Sequence, residues 1–272
     1  MTENSLDEMF EDEKKSFGGV VDFALRISLK LNGEPANEQS ELYSIVQTKM
    51  SVTGASIEHL FSAPLKDHSA VIALCRMIME AMTLFFYLKE TVSEDEWAAR
   101  YLCLKLHDTT NRIKLMRGHQ SADQYADLEL GKNELTTELR KNVFFCSLEK
   151  EQQSRVETGE HFFLGGMNRA ARAAGWDFKK FISFYSYFSA HAHSSPMSFL
   201  RTKKHGIRYA DPSDAQKAAM VTAIGIAEYC LLNASIAYLN TSVEGKKTFE
   251  SKELEKFDKS LSDWKGQLGL QA

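Results

Sequence analysis

Apolar residues recur at three- and four-residue spacing along nearly the whole chain, with no stretch of strand-like alternation, so the pattern predicts helices throughout. A first helix is expected over about residues 5–31, stopping at Asn32-Gly33. A second covers about 38–61, with a potential break near Gly54, and a third, the most apolar, covers about 66–90. The fourth opens at a capping box, Ser93 with Glu96, and reaches about residue 117. The fifth begins at Ser121, with Gln124 as reciprocal partner, and extends to about 147.

The texture then changes. Residues 149–166 are polar, then aromatic, then Gly-Gly, and read as an irregular connection. A short helix at about 167–174 precedes Gly175, and Asp177 caps a helix reaching about 195. Residues 199–210 read as a basic loop. Asp211-Pro212 opens a long helix to about 240, with proline at the first helical position. From Gly245 lysines alternate with acids, as in an exposed helix or a frayed end. The expected fold is all-α: a single helical-bundle domain with long apolar central helices and a charged C-terminal helix. Its parts are N-terminal helices in 1–62, a core in 63–242 and a charged helix or tail in 243–272.

Composition supports a folded chain. At 272 residues and 43% apolar, the protein can bury a large core, which excludes general disorder. The only prolines, Pro35, Pro64, Pro196 and Pro212, fall where periodic segments begin or end. Cys75, Cys103, Cys146 and Cys230 show no paired spacing for zinc or redox chemistry. With an acidic start that lacks the basic and apolar parts of a signal peptide, they point to a reducing cytoplasm. Two runs, 70–88 and 218–239, are long enough to span a membrane. Arg76 and Glu80 near the middle of the first would each cost about 2–4 kcal/mol there. Central bundle helices account for both runs, and no membrane partner is expected.

The net charge of −4 hides an asymmetry. Six acids and no base stand in the first thirteen residues. From Gly165 to Arg208, Asp177 is the sole acid among Arg169, Arg172, Lys179, Lys180, Arg201, Lys203, Lys204 and Arg208. Such a region either attracts phosphate-bearing partners or forms solvated faces and loop ends.

Two polar stripes interrupt core-like helices. Arg76 and Glu80 lie four apart in an otherwise apolar run, and Tyr185, Ser189 and His193 share one face at i, i+4 and i+8. Buried charges need partners, and arginine before glutamate is the weaker order for an intrahelical pair. The two stripes are therefore expected to pair across helices, with Glu228 joining them. His191, two residues from His193, is expected to point elsewhere, toward solvent or a partner chain. A satisfied network that fixes helix register explains these residues as well as a site does. As a site, His193 is the general acid or base, Arg76 holds an anionic group and Glu80 orients one of them, with Tyr185 and Ser189 beside them. His191, Arg201, Lys203 and Lys204 are the candidate substrate-binding residues. No metal or cofactor is expected: His107-Asp108 stands inside an amphipathic helix, and no Glu-x-x-His pair or phosphate-binding glycine loop occurs.

Arg76-x-x-x-Glu80 followed by Tyr185-x-x-x-Ser189-x-x-x-His193, over about residues 67–239, resembles a group of uncharacterised bacterial helical proteins known as a domain of unknown function. That group looks related to the HEPN proteins, helical bundles that include metal-independent RNases of toxin and antiviral systems. The resemblance implies an RNA-directed reaction, often at a dimer interface, with arginine and histidine flanking the scissile phosphate. HEPN nucleases carry arginine and histidine a few residues apart, usually with Asn, Asp or His directly after the arginine. Arg100 with His107, Arg112 with His119 and Arg155 with His161 have the spacing, but Tyr101, Ile113 and Val156 follow those arginines. The leading expectation is a cytoplasmic nuclease or toxin-type effector acting on RNA or another phosphate-bearing ligand, as a homodimer or with a partner protein. The rival is a non-catalytic helical interaction module.

Overall fold

The computed structural model of the protein describes residues 5–31, 37–116, 122–193, 196, 200 and 210–270. The fold is all-α, with twelve helices and no strand among the described residues. In chain order these are α1 (Leu6–Leu31), α2 (Glu38–Ser62), α3 (His68–Lys89), α4 (Glu94–Met116), α5 (Ala122–Leu139) and α6 (Val143–Ser147). There follow α7 (Lys150–Glu157), α8 (Gly166–Ala173), α9 (Phe178–Ala192), α10 (Asp214–Leu239), α11 (Val243–Lys247) and α12 (Ser251–Leu268). The described residues form two compact units, 1–86 with 174–272, and 87–173. These divisions fall elsewhere than the boundaries expected after residues 62 and 242.

In the first unit α10 is the central helix. From Ala223 onward it is buried nearly all round, and it packs against α1, α2 and α12. Gly54 does not interrupt α2. A Cβ there would lie 2.9 Å from Val21 Cγ2 and 3.2 Å from Leu231 Cδ2, so the glycine lets α2 approach α1 and α10. Polar bonds cross the same core: Gln47 Nε2 donates to Ser235 Oγ at 2.7 Å, and the Ser28 and Ser51 hydroxyls lie 2.9 Å apart. Phe23 stacks on Phe257 at 4.1 Å, and the Arg26 guanidinium bonds both oxygens of Glu253, which docks α12 on α1. The segment expected as an exposed helix or frayed end is thus two helices, the second half-buried through Phe257 and Leu261.

In the second unit Ala99, Cys103, Leu106, Leu139, Phe145, Val156 and Leu164 form the apolar cluster. The expected fifth helix divides in two, because Asn142 caps a new helix by accepting from Phe145 N at 2.8 Å while its Nδ2 donates to Asp95 O. Residues 149–166 are not wholly irregular: α7 lies within them, holding Gln153 and Val156 inward. Pro212 is not the first helical residue of α10, since Ser213 intervenes as N-cap and its N–H donates to Gln216 Oε1 at 2.8 Å.

Arg100 is fully buried in this unit. Its Nη2 lies 2.5 Å from both Glu90 and Glu96, its Nη1 donates to Tyr87 O, and its guanidinium sits 4.0 Å over the Tyr87 ring. Glu96 also meets Arg169 at 2.7 Å, so its side chain serves the ion network instead of closing the expected capping box. Breaking a buried pair from one side leaves an uncompensated charge. Arg100→Ala should therefore lower the unfolding free energy by about 3 kcal/mol, read as a shift of the urea midpoint.

Candidate functional site

The first unit brings four of the five expected catalytic residues into direct contact. Arg76 projects from the middle of α3, and its Nε and Nη2 donate to Glu80 Oε1 at 3.1 and 2.8 Å. The same Nη2 donates to Tyr185 OH at 2.9 Å, and the guanidinium sits 4.7 Å from the centroid of that ring. Nη1 lies 2.8 Å from His193 Nε2. An arginine only donates, so His193 Nε2 accepts this bond and the neutral ring carries its proton on Nδ1.

The backbone explains how His193 arrives there. Asp177 Oδ1 caps α9 by accepting from Lys180 N at 3.0 Å, and the helix ends at Ala192. His193 is the C-cap, at φ −99 and ψ 13, with its N–H bonded to Ser189 O at 3.0 Å. Leaving the helix there, it is exposed, whereas Tyr185 is half-buried and stacked on Phe181. Ser189 does not join the cluster: its Oγ donates to Tyr185 O at 2.6 Å, a back-bond within α9.

The Arg76 side chain is 14% exposed and Glu80 is 38% exposed. Burial works against the Arg76 charge, but the Glu80 carboxylate and the Tyr185 hydroxyl outweigh it and hold the guanidinium pKa above its ordinary value. Burial and then Glu80 push the Tyr185 phenol up, against the pull of Arg76, so Tyr185 keeps its proton at neutral pH. The arrangement offers a fixed cation, a protonated phenol and an imidazole lone pair within one cluster. In form it is a cation with general acid and base groups at hand.

The pairing is both within and between helices, so the expectation that Arg76 would prefer cross-helix partners over Glu80 holds only in part. Glu228 lies in another network, accepting from Ser16 Oγ at 3.0 Å and Trp264 Nε1 at 3.1 Å. His191 does not face solvent. It is buried, with Nδ1 3.3 Å from Ser69 Oγ and its ring 5.8 Å from that of His68. His68 Nδ1 in turn accepts from Gln216 Nε2 at 3.1 Å, and burial lowers its pKa against the opposing effect of Asp67. This second cluster, which ties α3, α9 and α10 together, was missed in the sequence, where Ser69 on the Arg76 stripe was its one visible mark. Arg201, Lys203 and Lys204 lie outside the described residues.

Among the described residues, the short arginine–histidine spacings show no direct arginine–histidine contact like that of Arg76 with His193. Arg100 is sealed among carboxylates, and His107 Nδ1 lies 2.8 Å from Gly159 O. His119 lies outside the described residues. Arg155 pairs with Glu151 at 2.6 Å, although it and His161 both line a cavity of about 180 Å³ in the second unit. Among the described residues no three His, Cys, Asp or Glu side chains gather as a metal site. No family model, curated protein or solved structure matches the chain.

If Arg76 and Glu80 act as a unit, their substitutions will not add. A double-mutant cycle of Arg76→Ala and Glu80→Ala, read by chemical denaturation, should return a coupling energy of about 1 kcal/mol. Strict additivity would show that the 2.8 Å pair contributes nothing to stability.

Proposed function

We propose that the chain acts on RNA or another phosphate-bearing ligand at the Arg76–His193 pair, as a cytoplasmic, HEPN-like nuclease or toxin- or defence-type effector. The observation that carries this reading is the 2.8 Å contact between Arg76 Nη1 and His193 Nε2. A phosphate that takes up Arg76 Nη1 releases the His193 lone pair to accept a proton from an attacking hydroxyl. Arg76 would then stabilise charge on the phosphate, with Tyr185, bonded to Nη2 and stacked under the guanidinium, holding it in place. These roles need side chains alone. A homodimer or partner protein would supply whatever surface the ligand requires beyond this cluster.

One observation favours the rival reading of a non-catalytic interaction module. Arg76 already donates to Glu80, Tyr185 and His193, as a register-fixing network would require. The two readings separate experimentally. For the nuclease, His193→Ala should reduce RNA cleavage or cell toxicity by about 10²–10⁴-fold while the melting temperature stays near that of the parent. Arg76→Lys keeps the charge but loses the planar fork, and should lose most of the activity too. A parent without detectable cleavage or toxicity, together with a sharply lower melting temperature for His193→Ala, would overturn the nuclease and leave the structural network.

A further inference from the structure

The first unit holds two carboxyl groups, one buried and one half-buried, that the Arg76 cluster does not use. Glu228, on α10, is 1% exposed. Its Oε1 accepts from Ser16 Oγ of α1 and from Trp264 Nε1 of α12, while its Oε2 is buried and has no hydrogen-bond partner among the described residues. Glu13, one turn before Ser16 on α1, has the matching defect: its Oε1 is buried and without a partner among the described residues. Gly225 locates that atom. A Cβ on Gly225 would stand 2.9 Å from Glu13 Oε1 and 2.5 Å from the Trp264 ring. Gly225 lies one turn before Glu228 on α10, so the Glu13 carboxyl rests against the turn of α10 that leads to Glu228, near enough for the Glu228 charge to act on it, because residue 225 has no side chain.

Two buried oxygens on neighbouring carboxyl groups, each lacking a donor, are an arrangement that two ionised carboxylates cannot hold at low cost. One proton between them satisfies both. We propose that Glu13 and Glu228 share a proton, and that this proton latches the C-terminal helix α12, through Trp264, onto α1 and α10. The donors on Glu228 Oε1 mark that oxygen as the acceptor side, which leaves Oε2 to meet the protonated Glu13. Deprotonation sets two negative charges near one another at the half-buried Glu13 and the buried Glu228, and their repulsion loosens the contact of α12 with α1 and α10.

The surrounding charges do not relieve the pair. Burial, then the Glu228 charge, raises the Glu13 pKa to about 7, and burial raises that of Glu228 against the pull of Trp264 and Ser16. Lys14 turns instead to Glu11 and to the rings of Phe10 and Phe61. On α2, Glu58 faces Gly18 and carries the same sign. Lys217 of α10 pairs with Asp7, and Asp263 of α12 is exposed. A carboxyl whose pKa is raised on folding contributes stability that is fully present below its unfolded value and is lost as pH rises through the folded value. The window is therefore from about 4.5 to about 7 for Glu13.

Carbon-13 NMR titration of the glutamate side-chain carboxyls of the intact protein should show a coupled pair, one member titrating near neutrality. Hydrogen exchange across α12, corrected for the intrinsic rate, should lose protection as pH rises from about 4.5 to about 7, with a parallel fall of several degrees in melting temperature. Glu13→Gln supplies a permanent donor and should flatten both pH dependences. Glu13 titrating in the ordinary carboxylate range would overturn the proposal, as would α12 protection that does not change with pH. A pH dependence unchanged in Glu13→Gln would overturn it too. Protection that follows sodium or potassium concentration instead of pH would place a cation between the carboxyls, and the shared proton would fail.

Discussion

The unit that carries the candidate site depends on one constraint: α10 is buried nearly all round from Ala223 onward, so its buried polar side chains reach to neighbouring helices for partners. Ser235 takes Gln47 of α2, Glu228 takes Ser16 of α1 and Trp264 of α12, and Gln216 takes His68 of α3. Hydrophobic burial alone tolerates sliding and rotation between helices. A buried donor left one turn out of register costs about 1–3 kcal/mol, so these few bonds fix the axial position of each neighbour. The Arg76 cluster inherits that register. His68 anchors the start of α3, the adjacent Ser69 meets His191, and His191 fixes the end of α9, where His193 leaves the helix toward Arg76.

Arg76 and Arg100 show how the same side chain can be sealed or kept open. Arg100 is fully buried, meets two carboxylates and a backbone carbonyl, and shares those carboxylates with Arg169, so charge balances within the core of the second unit. Arg76 has one carboxylate, and its other partners, a phenol and an imidazole, are neutral acceptors. Its cluster also borders solvent through Glu80 and His193. Every nitrogen of both guanidinium groups has a partner. Only Arg76 does so with groups that a ligand could replace without exposing a buried charge.

The helical class and the two polar stripes were legible in the sequence because period and burial act locally: a charge in an apolar run is visible wherever it stands. What failed depended on distance or context. Arginine before glutamate is the weaker helical order by only a few tenths of a kcal/mol, and the preference gives way where half-burial strengthens the Coulomb attraction. His191 does point away from His193, as two-residue spacing on a helix dictates, but the far side of α9 faces His68 and Ser69, not water. Helix α7 was hidden because a strongly polar segment can still dock through two inward residues, Gln153 and Val156. Ser189 looked equivalent to its stripe neighbours because periodicity reports direction and not whether a hydroxyl turns back to its own helix. A lone charge in an apolar helix shows that Glu228 needs a partner, but the sequence carries no signal that Ser16 and Trp264, far away along the chain, supply it in place of the Arg76 cluster.

The exposures within the Arg76 cluster also rank what an incoming anion would displace. Tyr185 is held by stacking on Phe181 and by the guanidinium over its ring, so moving it would disturb the packing of α9. Glu80 is 38% exposed and can turn to water with little desolvation cost, while the exposed His193 gives up one hydrogen bond. A phosphodiester carries the same single negative charge as the carboxylate but can engage the guanidinium with two oxygens, where Glu80 offers Oε1 alone. The exchange therefore favours release of Glu80 and His193 together, with Tyr185 and the α3 backbone as the fixed frame. The groups that satisfy Arg76 in the free protein divide into a rigid support and a replaceable pair, and His193 belongs to the replaceable pair.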